Sequence, residues 1–234
     1  MINIAQDLTK ALKLYSEDPA ERRKEFYRYY SEKRVAHQFM QVEMLEGIDR
    51  FNLCEIGSYL GFATALFMAA GFRVKTIDAG PKEVLGPLKT ESHTEKNVLD
   101  VTESDLTGQD VIVCCETLEH LQFDQARRVV EVFHNSDADW LLVSVPYHCP
   151  SADVRLQSSP IRSLLRWNVK LPQKMFKDFV PDTDPFGHKW ELGYKGFPKK
   201  RLIEMLESTG YKVRKQSYVG TVRSLFVLCS KADV

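Results

Sequence analysis

Between Phe51 and Gly80 the chain sets a carboxylate, two glycines and a second carboxylate at spacings that suit ligand binding. The first group reads Glu55-Ile56-Gly57-Ser58-Tyr59-Leu60-Gly61, and Asp78-Ala79 follows after a helix-length run. Gly57 and Gly61 lack Cβ, so the backbone can turn tightly and a ligand can lie against it. Asp78 falls about twenty residues past the loop, where an acid at a strand end accepts hydrogen bonds from ribose hydroxyls. Glu55, at the tip of the preceding apolar run, suits a positively charged ligand better than a pyrophosphate. The dinucleotide fingerprint G-x-G-x-x-G fails at Tyr59 and again at Phe62. A tight turn with no ligand would use the same two glycines.

A second constellation follows the apolar run Asp110–Cys115: Cys115-Glu116-Thr117-Leu118-Glu119-His120-Leu121. A third, Gly187-His188-Lys189-Trp190-Glu191, lies near the end of a long connection that also carries Tyr147 and His148. Histidine titrates near neutrality, which gives His148, His188 and His120 chemical interest. No Ser-His-Asp set, Walker loop, H-E-x-x-H or zinc spacing is present. The histidines at 93, 120, 134, 148 and 188 are scattered along the chain, and no metal site is expected from them.

The Glu-x-Gly-x-x-x-Gly loop resembles motif I of the class I S-adenosylmethionine-dependent methyltransferases. The L-E-H-L segment resembles the stretch after strand four in small-molecule members, including the quinone-biosynthesis type. The resemblance covers about residues 50 to 231. It implies S-adenosyl-L-methionine as cofactor. Glu55, Gly57, Ser58, Tyr59 and Gly61 would hold its methionine end and adenosine, and Asp78 with Ala79 its ribose. Asp100 and Val101 would lie near the adenine amino group. Cys115, Glu116, Thr117 and His120 would line its sulfonium and adenine side. The implied reaction moves a methyl group to a small molecule, preferably a hydroxyl on a metabolite, sugar or lipid precursor, with His188 and His148 as candidate catalytic bases. Catechol-type relatives hold a metal with acids after strand four. Cys115-Glu116-Thr117 stands there instead, so no metal is expected. Three alternatives stay open: an N-methyltransferase, a non-catalytic cofactor-binding scaffold, and an NAD-dependent enzyme, against which the loop argues.

The elements that must position these residues follow from periodicity. Phe51–Ile56, Arg73–Ile77, Asn97–Val101, Asp110–Cys115 and Trp140–Pro146 read as strands, alternating with helices such as Phe62–Ala70. Glu55, Asp78, Asp100, Cys115 and Pro146 then fall at strand carboxyl ends, where open α/β sheets bind ligands. Pro198–Thr209 reads as a last helix, and Tyr211–Val219 with Ser224–Cys229 as a closing hairpin around Gly220. The expected fold is α/β: a Rossmann-like, seven-stranded, mostly parallel sheet with helices on both faces and a terminal antiparallel hairpin. Residues 1–48 read as an N-terminal helical cap, with one segment over 4–15 and a long helix from Ala20 to Leu45. Its stripe of Phe26, Tyr29, Tyr30, Phe39, Met40 and Met44 suits a core face, and Tyr29, Tyr30 or His37 could reach the cofactor. Residues 49–234 form the methyltransferase domain, with a substrate lid at about 147–197 that carries a short helix over Ile161–Trp167.

Bulk composition narrows the partners. Lys+Arg and Asp+Glu both number 32, so the net charge is zero, which argues against a nucleic-acid partner. No apolar run approaches the eighteen or so residues that span a bilayer, and the amino terminus lacks a signal-peptide pattern. The 5 cysteines have no C-x-x-C spacing and fit buried thiols in a reducing cytoplasm. The oligomeric state stays open, a homodimer included.

Overall fold

The central strands of the sheet are apolar on both sides, and that dictates their surroundings. In Val111–Cys115 (β4) the side chains alternate between two cores: Val111 and Val113 face one, Ile112 and Cys114 the other. Trp140–Pro146 (β5) and Ser224–Lys231 (β9) divide in the same way. Such strands are stable only when both faces are covered, as in a parallel sheet flanked by helices.

The computed structural model describes residues 18–21, 23–24, 32–80, 90–148, 151–157, 164–170, 177–219 and 223–232. Around β4 the sheet adds Asn52–Ile56 (β1), Arg73–Asp78 (β2), Ser92–Glu95 (β3) and Tyr211–Val219 (β8). The seven strands run in the order β3-β2-β1-β4-β5-β9-β8. The first five pair in parallel, and β9 is antiparallel to both β5 and β8. The expected sheet and closing hairpin are therefore present. Glu32–Met44 (α1) and Phe62–Ala69 (α2) cover one face, where Met44, Leu45 and Phe67 pack with Leu53, Val74 and Phe226. Phe123–Asn135 (α3) and Lys199–Ser208 (α4) cover the other, where Val130, Phe133, Leu202 and Leu206 pack with Ile112, Leu141 and Val227.

Two expectations change. Asn97–Val101 is not a strand: β3 ends at Glu95, and the Asn97 side chain caps a short 3₁₀ turn, Val98–Asp100, by accepting the Leu99 N–H at 3.0 Å. Asn and Asp compete for local backbone hydrogen bonds in this way, and here that breaks the extended run. The expected helix at 161–167 also fails over its described part. Ser151–Gln157 (β6) and Leu164–Lys170 (β7) form a separate antiparallel pair, with Val154 opposite Trp167. Leu165, Trp167 and Val169 alternate with Arg166, Asn168 and Lys170, a period of two that marks a strand. The segment expected at 4–15, Phe26, Tyr29, Tyr30, Cys149, residues 81–89 and 161–163, and Gly220 lie outside the described residues.

Candidate active site

The carboxyl ends of β1, β2, β4 and β5 open into a cavity of about 890 Å³. One flank is the β1–α2 loop. Gly57 has φ 78° and donates its N–H to Ile77 O at 2.8 Å, which ties the turn to β2. A Cβ here would run into the Thr117 hydroxyl, so the two loops pass each other only because residue 57 has none. Tyr59 takes the left-handed region at φ 48°, and its N–H donates to Asp78 Oδ2 at 2.8 Å. The Gly80 N–H donates to Asp78 Oδ1 at 2.7 Å. Asp78 thus shapes the loop as well as facing the cavity.

Glu55 lies in the cavity wall, 4% exposed, and accepts the Thr64 hydroxyl from α2 at 2.5 Å. Burial pushes its carboxyl up to about 8; the Thr64 bond opposes this and the negative charge of Asp78 adds to it. A cation laid against Glu55 would reverse that cost.

The second flank follows β4. Glu116 takes φ 50° and accepts the Ser144 hydroxyl at 2.9 Å, with His37 Nε2 of α1 at 3.3 Å. Gln41 Nε2 donates to His37 Nδ1 at 3.1 Å, leaving Nε2 as the protonated nitrogen. Burial alone would raise the Glu116 carboxyl, yet the bonds from His37, Ser144 and Ser224 hold it below the usual range. His37 does reach inward, as the N-terminal helix reading allowed.

The third flank combines the 3₁₀ turn Leu118–His120 with the segment before α4. Trp190, 1% exposed, pins that segment by donating its indole N–H to Leu121 O at 3.0 Å and packing on Phe123 and Phe197. Lys189 N–H donates to Glu119 O, and Leu192 N–H to Pro146 O. The chain here is laid against the sheet end, which presses His188 to 8% exposure. The rings of His120 and His188 are 4.9 Å apart. Histidines scattered in sequence are thus adjacent in space. Burial, with His188 nearby, pushes the His120 imidazole down to about 4, so it is neutral at pH 7.

Of the residues singled out from sequence, Glu55, Gly57, Ser58, Tyr59, Asp78, Ala79, Cys115, Glu116, Thr117, His120, His148 and His188 line this one cavity. Gly61 stands behind it as the left-handed cap of α2, its N–H on Ser58 O. Asp100 is exposed and Val101 is in the core, both off the cavity wall; their neighbours Lys96, Asn97 and Val98 line it instead. Sequence reasoning passed over Glu119, Glu191, Gln41 and Ser144 as site residues. Glu119 is three residues after Glu116 and Glu191 three after His188, a spacing that could have marked both.

Strand order and closing hairpin together match known folds. This is the class I methyltransferase fold. N-methyltransferase NodS from Bradyrhizobium japonicum WM9, solved with S-adenosyl-L-homocysteine, matches with a TM-score of 0.62 at 15% identity, over 98% of this chain and 99% of that one. The 1,6-didemethyltoxoflavin-N1-methyltransferase of Burkholderia thailandensis gives 0.55 at 14%, over 99% and 90%. Magnesium protoporphyrin IX methyltransferase ChlM from Synechocystis PCC 6803, solved with bound SAM, gives 0.55 at 13%, over 97% of each. No protein-family model and no curated protein matches the sequence. Among the described residues no helix of the methyltransferase fold is long and apolar enough to cross a membrane.

Proposed function

We propose that the protein transfers a methyl group from S-adenosyl-L-methionine to a hydroxyl of a small molecule. The observation that carries this reading is Glu55: a buried carboxylate in the wall of the cavity, beside a glycine turn and opposite a strand-end acid. A cationic amino acid nucleoside supplies the positive charge that Glu55 lacks and ribose hydroxyls for Asp78. Ser58, Tyr59, Ala79, Cys115 and Thr117 complete the wall on that side, and Asn97 with Val98 would face the adenine. The cavity is large enough for this cofactor and a modest acceptor together.

In the reaction the carbon–sulfur bond breaks and its electron pair stays on sulfur, giving a neutral thioether. The acceptor oxygen forms the new bond to the methyl carbon and loses its proton. The protein's part is to hold the two reactants in line and exclude water. His148 stands exposed at the cavity rim, on a route by which that proton can leave. His188 has Nδ1 bound to Glu191 Oε1 at 2.9 Å, so Nε2 keeps a lone pair. A base needs that orientation, and so does a metal ligand; the cluster around it favours the second.

Calorimetric titration of the full chain with S-adenosylhomocysteine tests the reading. One-site binding is expected. No heat and no thermal shift, with either that compound or the intact cofactor, would overturn it.

A further inference from the structure

We propose that Glu119, His120 and His188 form a binding site for a divalent first-row transition ion. Glu119 is 0% exposed, and neither carboxylate oxygen has a hydrogen-bond partner among the described residues. A buried carboxylate left in this way is costly, and an ion is one of the few groups that satisfies both oxygens. Nδ1 of His120 is also buried without a partner, while its ring meets the Gly187 backbone. Nε2 of His188 stands 4.0 Å from Glu119 Oε1. One donor atom from each of the three residues lies within 4.8 Å of the others.

The surroundings are those that metal-binding histidines require. A ligating imidazole usually gives its second N–H to a carboxylate or a backbone carbonyl, which fixes its tautomer. Glu191 does this for His188, and Asp184 Oδ2 stands 3.7 Å from the same nitrogen while accepting the His188 N–H at 2.9 Å. Three carboxyl groups, Glu119, Asp184 and Glu191, therefore surround two histidines, a donor set that suits a dication. Tetrahedral ligands at about 2.1 Å from an ion stand about 3.4 Å apart, so a contraction of at most about 1.4 Å closes the site. Among the described residues no other residue's hydrogen bond holds the Glu119 side chain against that movement.

Two nitrogens and one carboxylate favour zinc, iron(II), cobalt(II) or manganese(II) over magnesium or calcium. All three residues line the cavity, which leaves an open coordination position facing it. An acceptor hydroxyl bound there would be oriented and more acidic. That use of the ion rests on the methyl-transfer reading; the binding of the ion does not.

The test is titration of the chelator-stripped full-length protein with cobalt(II), followed by d–d absorption and equilibrium dialysis. One equivalent should bind. Glu119→Gln and His188→Ala should each weaken binding at least about tenfold, while His134→Gln, outside the cluster, should bind like the parent. Circular dichroism establishes that each variant is folded, and Glu119→Gln keeps the side-chain shape. No uptake by the parent, or equal uptake by the Glu119→Gln/His188→Ala double variant, overturns the site. S-adenosylhomocysteine titrated into the same stripped samples separates the two proposals. Heat with that ligand but no cobalt uptake sinks the ion alone, whereas cobalt uptake without that heat sinks only the methyl-transfer reading.

Discussion

Glu55 shows how one side chain sets opposite pH dependences for the empty and the occupied protein. Its carboxyl rises from 4.5 to about 8 in the fold, so the folded state keeps a proton that the unfolded state releases. Its contribution to stability is full below 4.5 and is lost as the pH climbs toward 8. Melting temperatures of the unliganded protein should fall across that window, and Glu55→Gln should flatten part of the fall. Ligand affinity should run the other way. A cationic nucleoside binds the ionised carboxylate, so association should strengthen between about pH 6 and pH 8, by at most about tenfold per unit, and then level off. Glu55→Gln should bind weakly with no such slope. Calorimetry over that range decides it, and a parent curve as flat as the variant's would remove the cation from the argument. Asp78 acts differently, because it holds the Tyr59 and Gly80 N–H groups besides facing the cavity. Asp78→Ala should cost about 1.5–3 kcal/mol of binding per lost charge-assisted bond and also loosen the loop, so the dissociation constant should rise at least tenfold. Gly57→Val is a poorer probe than its sequence position suggests. The left-handed φ and the Thr117 hydroxyl make it destabilising by about 1–3 kcal/mol before any ligand is considered.

At the level of elements, the segment before α4 is held by Trp190 more than by any regular structure. Its indole fills the core between Phe123 and Phe197, and Arg201 lies over both of those rings. Trp190→Ala should cost about 3–5 kcal/mol of stability and release His188 from the cavity wall. Trp190→Phe keeps most of the packing and loses the bond to Leu121 O, about 1 kcal/mol. Urea melts should rank the parent first, then Phe, then Ala. An alanine variant as stable as the parent would show that the segment is anchored elsewhere. The β6–β7 pair was legible in the period-two alternation on either side of Ser158-Ser159-Pro160. Ile161–Trp167 reads as a short helix instead, and short apolar runs often mislead in this way.

Across the whole molecule, α1 belongs to the core. Met44 and Leu45 close the sheet face over Leu53, Phe67 and Phe226, and His37 reaches Glu116 and Ser144. Removing residues 1–48 should therefore uncover an apolar sheet face. The truncated chain should bind a hydrophobic dye, aggregate and lose its cooperative melt. A soluble truncation with the parent's melting temperature would mean that the remainder is self-sufficient.

The sequence by itself determined the central alternation of strands and helices, because runs apolar on both faces, such as Val111–Cys115, are stable only in a covered parallel sheet. It also determined that Glu55, Asp78 and Glu116 stand at one edge, since ligand-facing positions of such sheets are the strand ends. Only the tertiary structure decided that β3 stops at Glu95, because capping by Asn97 outweighs a weak strand pattern. Only the tertiary structure brought His188 to His120 and Glu119, 68 and 69 residues away in the chain. That meeting depends on where a buried tryptophan pins an irregular segment, and packing of that kind has no period for a sequence to display.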